Sequence, residues 1–136
     1  MLKVILVDDN ESFRKALKNV LEKRYHIQII GEASCGREFK KLTNLHLAHI
    51  ILMDVMMPDI DGITLTKSAL WGDSHLKFIA ITMHFDKVYL TSLIEAGFKG
   101  CVFKSNIFRE IPNAIQTVMS GKLYFPASIL TSDSNF

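Results

Sequence analysis

The chain is short of cysteine, of net charge and of long apolar runs, and each shortage removes a class of function. Its two cysteines, Cys35 and Cys101, stand far apart and near no second Cys or His at ligand spacing. That argues against a disulfide framework or a zinc site and for a reducing compartment. Lys and Arg number 16 against 14 Asp and Glu, so the formal charge is only +2 and does not announce a nucleic-acid binder. No apolar stretch approaches the roughly 20 residues that cross a bilayer. The first apolar run closes on acids too early for a secretory leader. No segment repeats at a solenoid period. The expectation is a soluble, cytoplasmic protein with no membrane partner.

What is present is enough apolar material for a core: 49% of 136 residues, which predicts one globular domain. Short unbroken apolar runs at residues 4–7, 27–30, 49–53, 78–81 and 101–103 read as strands buried on both faces. Segments of helical spacing separate them. Phe13, Leu17, Val20 and Leu21 share a face after a cap at Asn10. Phe39 and Leu42 fit a shorter helix after Gly36. Ile63, Leu65 and Leu70 follow a cap at Asp61, and Leu90, Leu93 and Ile94 stop at Gly97. Ile111, Ile115, Val118 and Met119 form the last stripe, which stops at Gly121. Pro112 is placed near the start of that helix, where first-turn N–H groups have no helical partner. Five strand–helix units in alternation predict a doubly wound α/β fold, a parallel sheet with helices on both faces.

Ligands of such sheets bind beyond the carboxyl ends of the strands. Val4-Ile5-Leu6-Val7 runs straight into Asp8 and Asp9, two like charges that at about 4 Å repel by roughly 1 kcal/mol in water and several-fold more near protein. Asp54 follows the third run, Thr82 the fourth and Lys104 the fifth. Three carboxylates gathered at one rim suit Mg²⁺, which takes carboxylates, waters and a phosphate. A lysine and a threonine hydroxyl beside them suit phosphoryl transfer to a carboxylate. The bland alternative is that all five are solvated loop residues.

VDDNES, MDVMMPDIDGITL, ITMH and GCVFK, in this order and at these separations, resemble the receiver domain of bacterial two-component response regulators. The resemblance covers residues 2–125. It implies a flavodoxin-like (CheY-like) five-stranded sheet of order 2-1-3-4-5. It implies Asp54 as phosphoacceptor, Asp8 and Asp9 as Mg²⁺ ligands with the backbone carbonyl of Met56, Thr82 as the hydroxyl switch residue and Lys104 as the phosphate-binding lysine. ITMH, EAGFKGCVFK, IPNAI and GKLYFP look most like receivers of the NarL/LuxR type, which normally precede a DNA-binding helix-turn-helix. Two departures stand out. Cys101 occupies the switch position, three places before the lysine, where receivers usually carry an aromatic. Met83 beside Thr82 replaces a small residue and crowds access to the site.

The domain expectation is a receiver over residues 1–125, with 126–136 a tail or the start of a linker to an output domain absent from this chain. The TSDSNF ending favours a receiver fragment over a stand-alone protein. The expected partners are a sensor histidine kinase and a second copy in a homodimer, with DNA engaged only through the further domain. The function expected is phospho-acceptance and switching of the helix-4, strand-5 and helix-5 surface, and not an enzyme beyond its own phosphorylation and dephosphorylation. Met56 stands where an aspartate-nucleophile phosphatase would place a general acid, which argues against turnover of an external substrate. The alternative is a pseudo-receiver acting as a phosphorylation-independent interaction module. Met56 and Met57 read as loop packing beside Pro58 rather than a metal or redox feature, His84 as a surface residue near the site entrance, and Trp71 as a cap on the apolar edge of a helix end. His26, His46, His49 and His75 read as ordinary, and Tyr89, Phe98, Lys87 and Lys99 lie around the fourth helix as a partner surface.

Overall fold

The computed structural model describes residues 1–83 and 87–126, with the backbone alone at Lys87. His84, the Lys87 side chain and the TSDSNF tail fall outside the described residues. Five strands, β1 (Lys3–Val7), β2 (Gln28–Ala33), β3 (Ile50–Asp54), β4 (Phe78–Thr82) and β5 (Gly100–Phe103), form one parallel sheet of order β2-β1-β3-β4-β5. Helices α1 (Glu11–Tyr25), α2 (Gly36–Lys41), α3 (Gly62–Gly72) and α4 (Lys87–Ala96) make the crossovers, and α5 (Ile107–Met119) follows β5. The flavodoxin-like order is the one expected.

Strand side chains alternate between two cores. Val4, Leu6, Leu52, Ile79 and Val102 pack beneath Leu17 and Leu21 of α1 and Ile111 and Ile115 of α5. Ile5, Val7, Met53, Phe78 and Cys101 pack on the other face with Phe39, Leu65, Leu90 and Leu93 of α2, α3 and α4. Burial on both faces explains why β1, β3 and β4 read as unbroken apolar runs.

The expected caps are in place: Asn10 Oδ1 accepts from Phe13 N at 3.0 Å and Asp61 Oδ1 from Thr64 N at 2.8 Å. Four readings are corrected. β2 runs to Ala33 as a half-exposed edge strand, because among the described residues no strand flanks its outer side; its Glu32 instead pairs with Arg14 and Lys18 at 3.0 and 3.1 Å. Pro112 sits in the second turn of α5, because a 3₁₀ turn at Lys104–Asn106 runs directly into the helix. The carbonyl of Phe108, four residues earlier, loses its N–H donor because proline has none, at a residue that is itself 43% exposed. Trp71 caps nothing: it is 94% exposed near the end of α3. Met57 packs in its loop as expected, but Met56 does not: it is 61% exposed, on the side of the loop that faces solvent.

Candidate functional site

Register gathers the polar rim. Val7 of β1 pairs with Met53 of β3, so the next residues, Asp8 and Asp54, leave adjacent strands at one level. Asp54 pairs with Ile81, placing Thr82 one step beyond it, and Thr82 pairs with Phe103, after which comes Lys104. Residues up to 96 positions apart in sequence thus reach one end of the sheet without any of them leaving its strand terminus.

Carboxylate oxygens of Asp8, Asp9 and Asp54 lie within 4.8 Å of one another. Asp8 and Asp54 are buried, while Asp9 is exposed. Lys104 Nζ stands 2.9 Å from Asp8 Oδ2 and 3.5 Å from Asp54 Oδ2, and 4.8 Å from the centre of the Phe13 ring. Backbone amides orient the acids: Asn10 N donates to Asp8 Oδ1 at 2.8 Å and Met56 N to Asp54 Oδ1 at 3.1 Å. Arg14 Nη1 donates to the Asp8 carbonyl at 2.5 Å, tying α1 to the same loop.

Three acids facing one ammonium leave the site short of positive charge. Burial, and then the charge of Asp8, raise the Asp54 carboxyl to about 7, with Lys104 pulling the other way. Burial works to lower the Lys104 pKa, yet the hydrogen bond to Asp8 and the charges of both acids raise it overall. A further cation among these oxygens would offset the burial and the repulsion from Asp8 that raise the Asp54 carboxyl. The donors are all hard oxygens, as Mg²⁺ requires.

Asp9, Asn10, Asp54, Met56, Met83 and Lys104 line an open cavity of about 330 Å³. Thr82 does not line it; its side chain is buried behind the rim. There the hydroxyl of Tyr89, half-buried from α4, lies beside it: burial raises the Tyr89 pKa, and a hydrogen bond with Thr82 works against that rise. Cys101 is buried on the same side of the sheet, and burial pushes its thiol up to about 12, which keeps it protonated and inert.

Residues 4–116 match the family described as response regulator receiver domain. The chain belongs to that family. This receiver is 33% identical over 129 residues to Response regulator UvrY of Escherichia coli K12, covering 95% of this chain and 59% of that protein. To the transcriptional regulatory protein LiaR of Bacillus subtilis 168 it is 36% identical over 122 residues, covering 90% and 58%. The chain therefore spans less than two thirds of these relatives. Among solved structures, a LuxR-family response regulator from Aurantimonas sp. SI85-9A1 superposes with a TM-score of 0.86 at 26% identity, covering 95% of this chain and 92% of that one. The isolated receiver of RcsB from Salmonella enterica serovar Typhimurium, in the presence of the phosphomimetic BeF₃⁻, gives 0.82 at 26%, covering 96% of each. The family, the NarL/LuxR resemblance and the fold read from the motifs all agree with these likenesses.

Two residues that hold the site in shape were not singled out in the sequence as anything but spacing. Asp59 Oδ1 accepts from Gly36 N at 2.9 Å and from Ile60 N at 2.8 Å, and its Oδ2 accepts from Arg37 N at 3.0 Å. It caps α2 from the loop after β3, since Cys35 at the N-cap offers no side-chain bond. Gly62 begins α3 against the end of β3, and a Cβ there would strike the Asp54 carbonyl and the Val55 Cα. The PDIDG stretch carried both signals.

Proposed function

We propose that this receiver takes a phosphoryl group from a partner histidine kinase onto Asp54 and switches its α4–β5–α5 surface, controlling a DNA-binding output domain that lies outside this chain. In this reading residues 1–125 are the receiver and 126–136 begin a linker. What most supports it is a buried carboxylate, oriented by a backbone amide, on the wall of an open cavity with a second acid and a lysine against it. An Asp54 oxygen attacks phosphorus as the bond to the donor imidazole nitrogen breaks in line, and the imidazole leaves with the electron pair and takes up a proton. Asp8, Asp9, Asp54 and the Met56 carbonyl would hold Mg²⁺, which when bound neutralises charge on the carboxylate and phosphoryl oxygens. Lys104 moves its ammonium from the two acids toward the phosphoryl oxygens. Thr82 turns its hydroxyl from Tyr89 toward the phosphoryl group, and the contact it gives up is the one that reaches α4. Phosphate contacts favouring the switched state by about 1.4 kcal/mol change its ratio roughly tenfold.

The chain catalyses only its own phosphorylation and dephosphorylation in this scheme. Incubation with acetyl phosphate and Mg²⁺, read by intact mass, tests it. One phosphoryl group per chain, absent in Asp54→Asn, is the expected result. Multiple turnover would make it a phosphatase, and no adduct would make it an interaction module that ignores phosphate.

A further inference from the structure

The chain has six methionines. Met53 and Met57 are buried and Met119 is half-buried. Of the three exposed ones, Met56 and Met83, at 61% and 70%, both line the cavity that holds Asp54 and Lys104. They reach it from separate loops, after β3 and after β4, and among the described residues every other side chain lining that cavity is polar or charged. Two unbranched thioethers are thus left in solvent at the mouth of a charged pocket, where burial would have been the favourable place for them.

We propose that Met56 and Met83 form a peroxide-oxidisable rim that sets how readily Asp54 is charged. The inference rests on the reading of Asp54 as phosphoacceptor. The thioether sulfur attacks one oxygen of hydrogen peroxide; an S–O bond forms, the O–O bond breaks, and a proton passes to the departing oxygen, releasing water. Sulfur is oxidised by two electrons and the peroxide is reduced. The product sulfoxide is neutral overall but strongly polar and larger, with partial negative charge on its oxygen. At this rim it faces the incoming anionic phosphoryl group, so charging slows. A dithiol-driven methionine sulfoxide reductase returns the oxygen as water and restores the rim. Cys101 takes no part, being buried with its thiol protonated.

The test uses the full chain carrying Cys35→Ser, so that the half-buried thiol contributes nothing. The protein is treated with hydrogen peroxide, the sulfoxides are located by peptide mass spectrometry, and charging from acetyl phosphate with Mg²⁺ is timed. Expected are sulfoxides at Met56 and Met83 before Met53 and Met57, and a fall in charging rate of about threefold, the size of a weak electrostatic contact between exposed groups. Reductase and dithiothreitol should reverse it. The double variant Met56→Leu with Met83→Leu should charge at a rate of its own that peroxide does not alter. Sulfoxide at both positions with unchanged charging overturns the inference, and so does a loss that persists in the double variant. If the untreated protein fails to charge at all, the phosphoacceptor reading falls, and this inference with it.

Discussion

Lys104 carries the only cation within ion-pair distance of the buried Asp8 and Asp54 among the described residues, with its own side chain 17% exposed. Removing it as Lys104→Met strands two carboxylates, and breaking a buried pair in this way costs about 3 kcal/mol when measured at about pH 8 in chelator. Urea denaturation should show that loss, and added Mg²⁺ should recover part of it by binding the same oxygens. Asp59 makes a different prediction. Hydrogen bonds from Gly36 N, Arg37 N and Ile60 N hold its carboxyl at about 2, against an ordinary 3.8. A depressed folded pKa gives stability that is present above the unfolded value and lost as pH falls through the folded one. The thermal midpoint of Asp59→Asn should therefore lie below that of the parent at neutral pH, with the gap closing between about 3.8 and about 2. Asp8, Asp54 and Lys104 were legible as residues because each ends an apolar run. Asp59 was not, because an exposed acid in a turn looks the same whether or not two distant amides, those of Gly36 and Arg37, converge on it.

The start of α3 is where an element and the site constrain each other. Gly62 N donates to the Val55 carbonyl at 2.9 Å, bringing the helix onto the strand end that carries Asp54. Gly62→Ala would push a methyl group into backbone atoms, which have no rotamer to escape into. A cost of about 3 kcal/mol is expected from such overpacking, together with slower charging of Asp54 as the strand end shifts. Denaturant midpoint and acetyl phosphate kinetics measure the two effects separately. Element existence was readable from periodicity, since buried strands and amphipathic helices differ in spacing. Element ends were less so. The edge position of β2 depends on which strands flank it, and the entry to α5 depends on a turn that no apolar spacing marks.

For the molecule as a whole, the site and the fold should be linked through ligand binding. A group that binds only the folded state adds stability by mass action, about 2.7 kcal/mol at a hundred times its dissociation constant. Beryllofluoride with Mg²⁺ should therefore raise the thermal midpoint of the parent by several degrees and leave that of Asp54→Asn unmoved; differential scanning calorimetry reads both. The alternation of five strands and five helices, and the polar residue closing each of four runs, were determined by the sequence alone, because apolar spacing and motif order are local properties. The tertiary structure decided which of those residues share a pocket. Pairing register levels Asp8 with Asp54, burial lifts the carboxyl of Asp54, and the packing of α4 sets Tyr89 against Thr82 on the same side of the sheet as Cys101. Those outcomes depend on distances between strands far apart along the chain, and distance across a sheet is set by which strands pair and in what register.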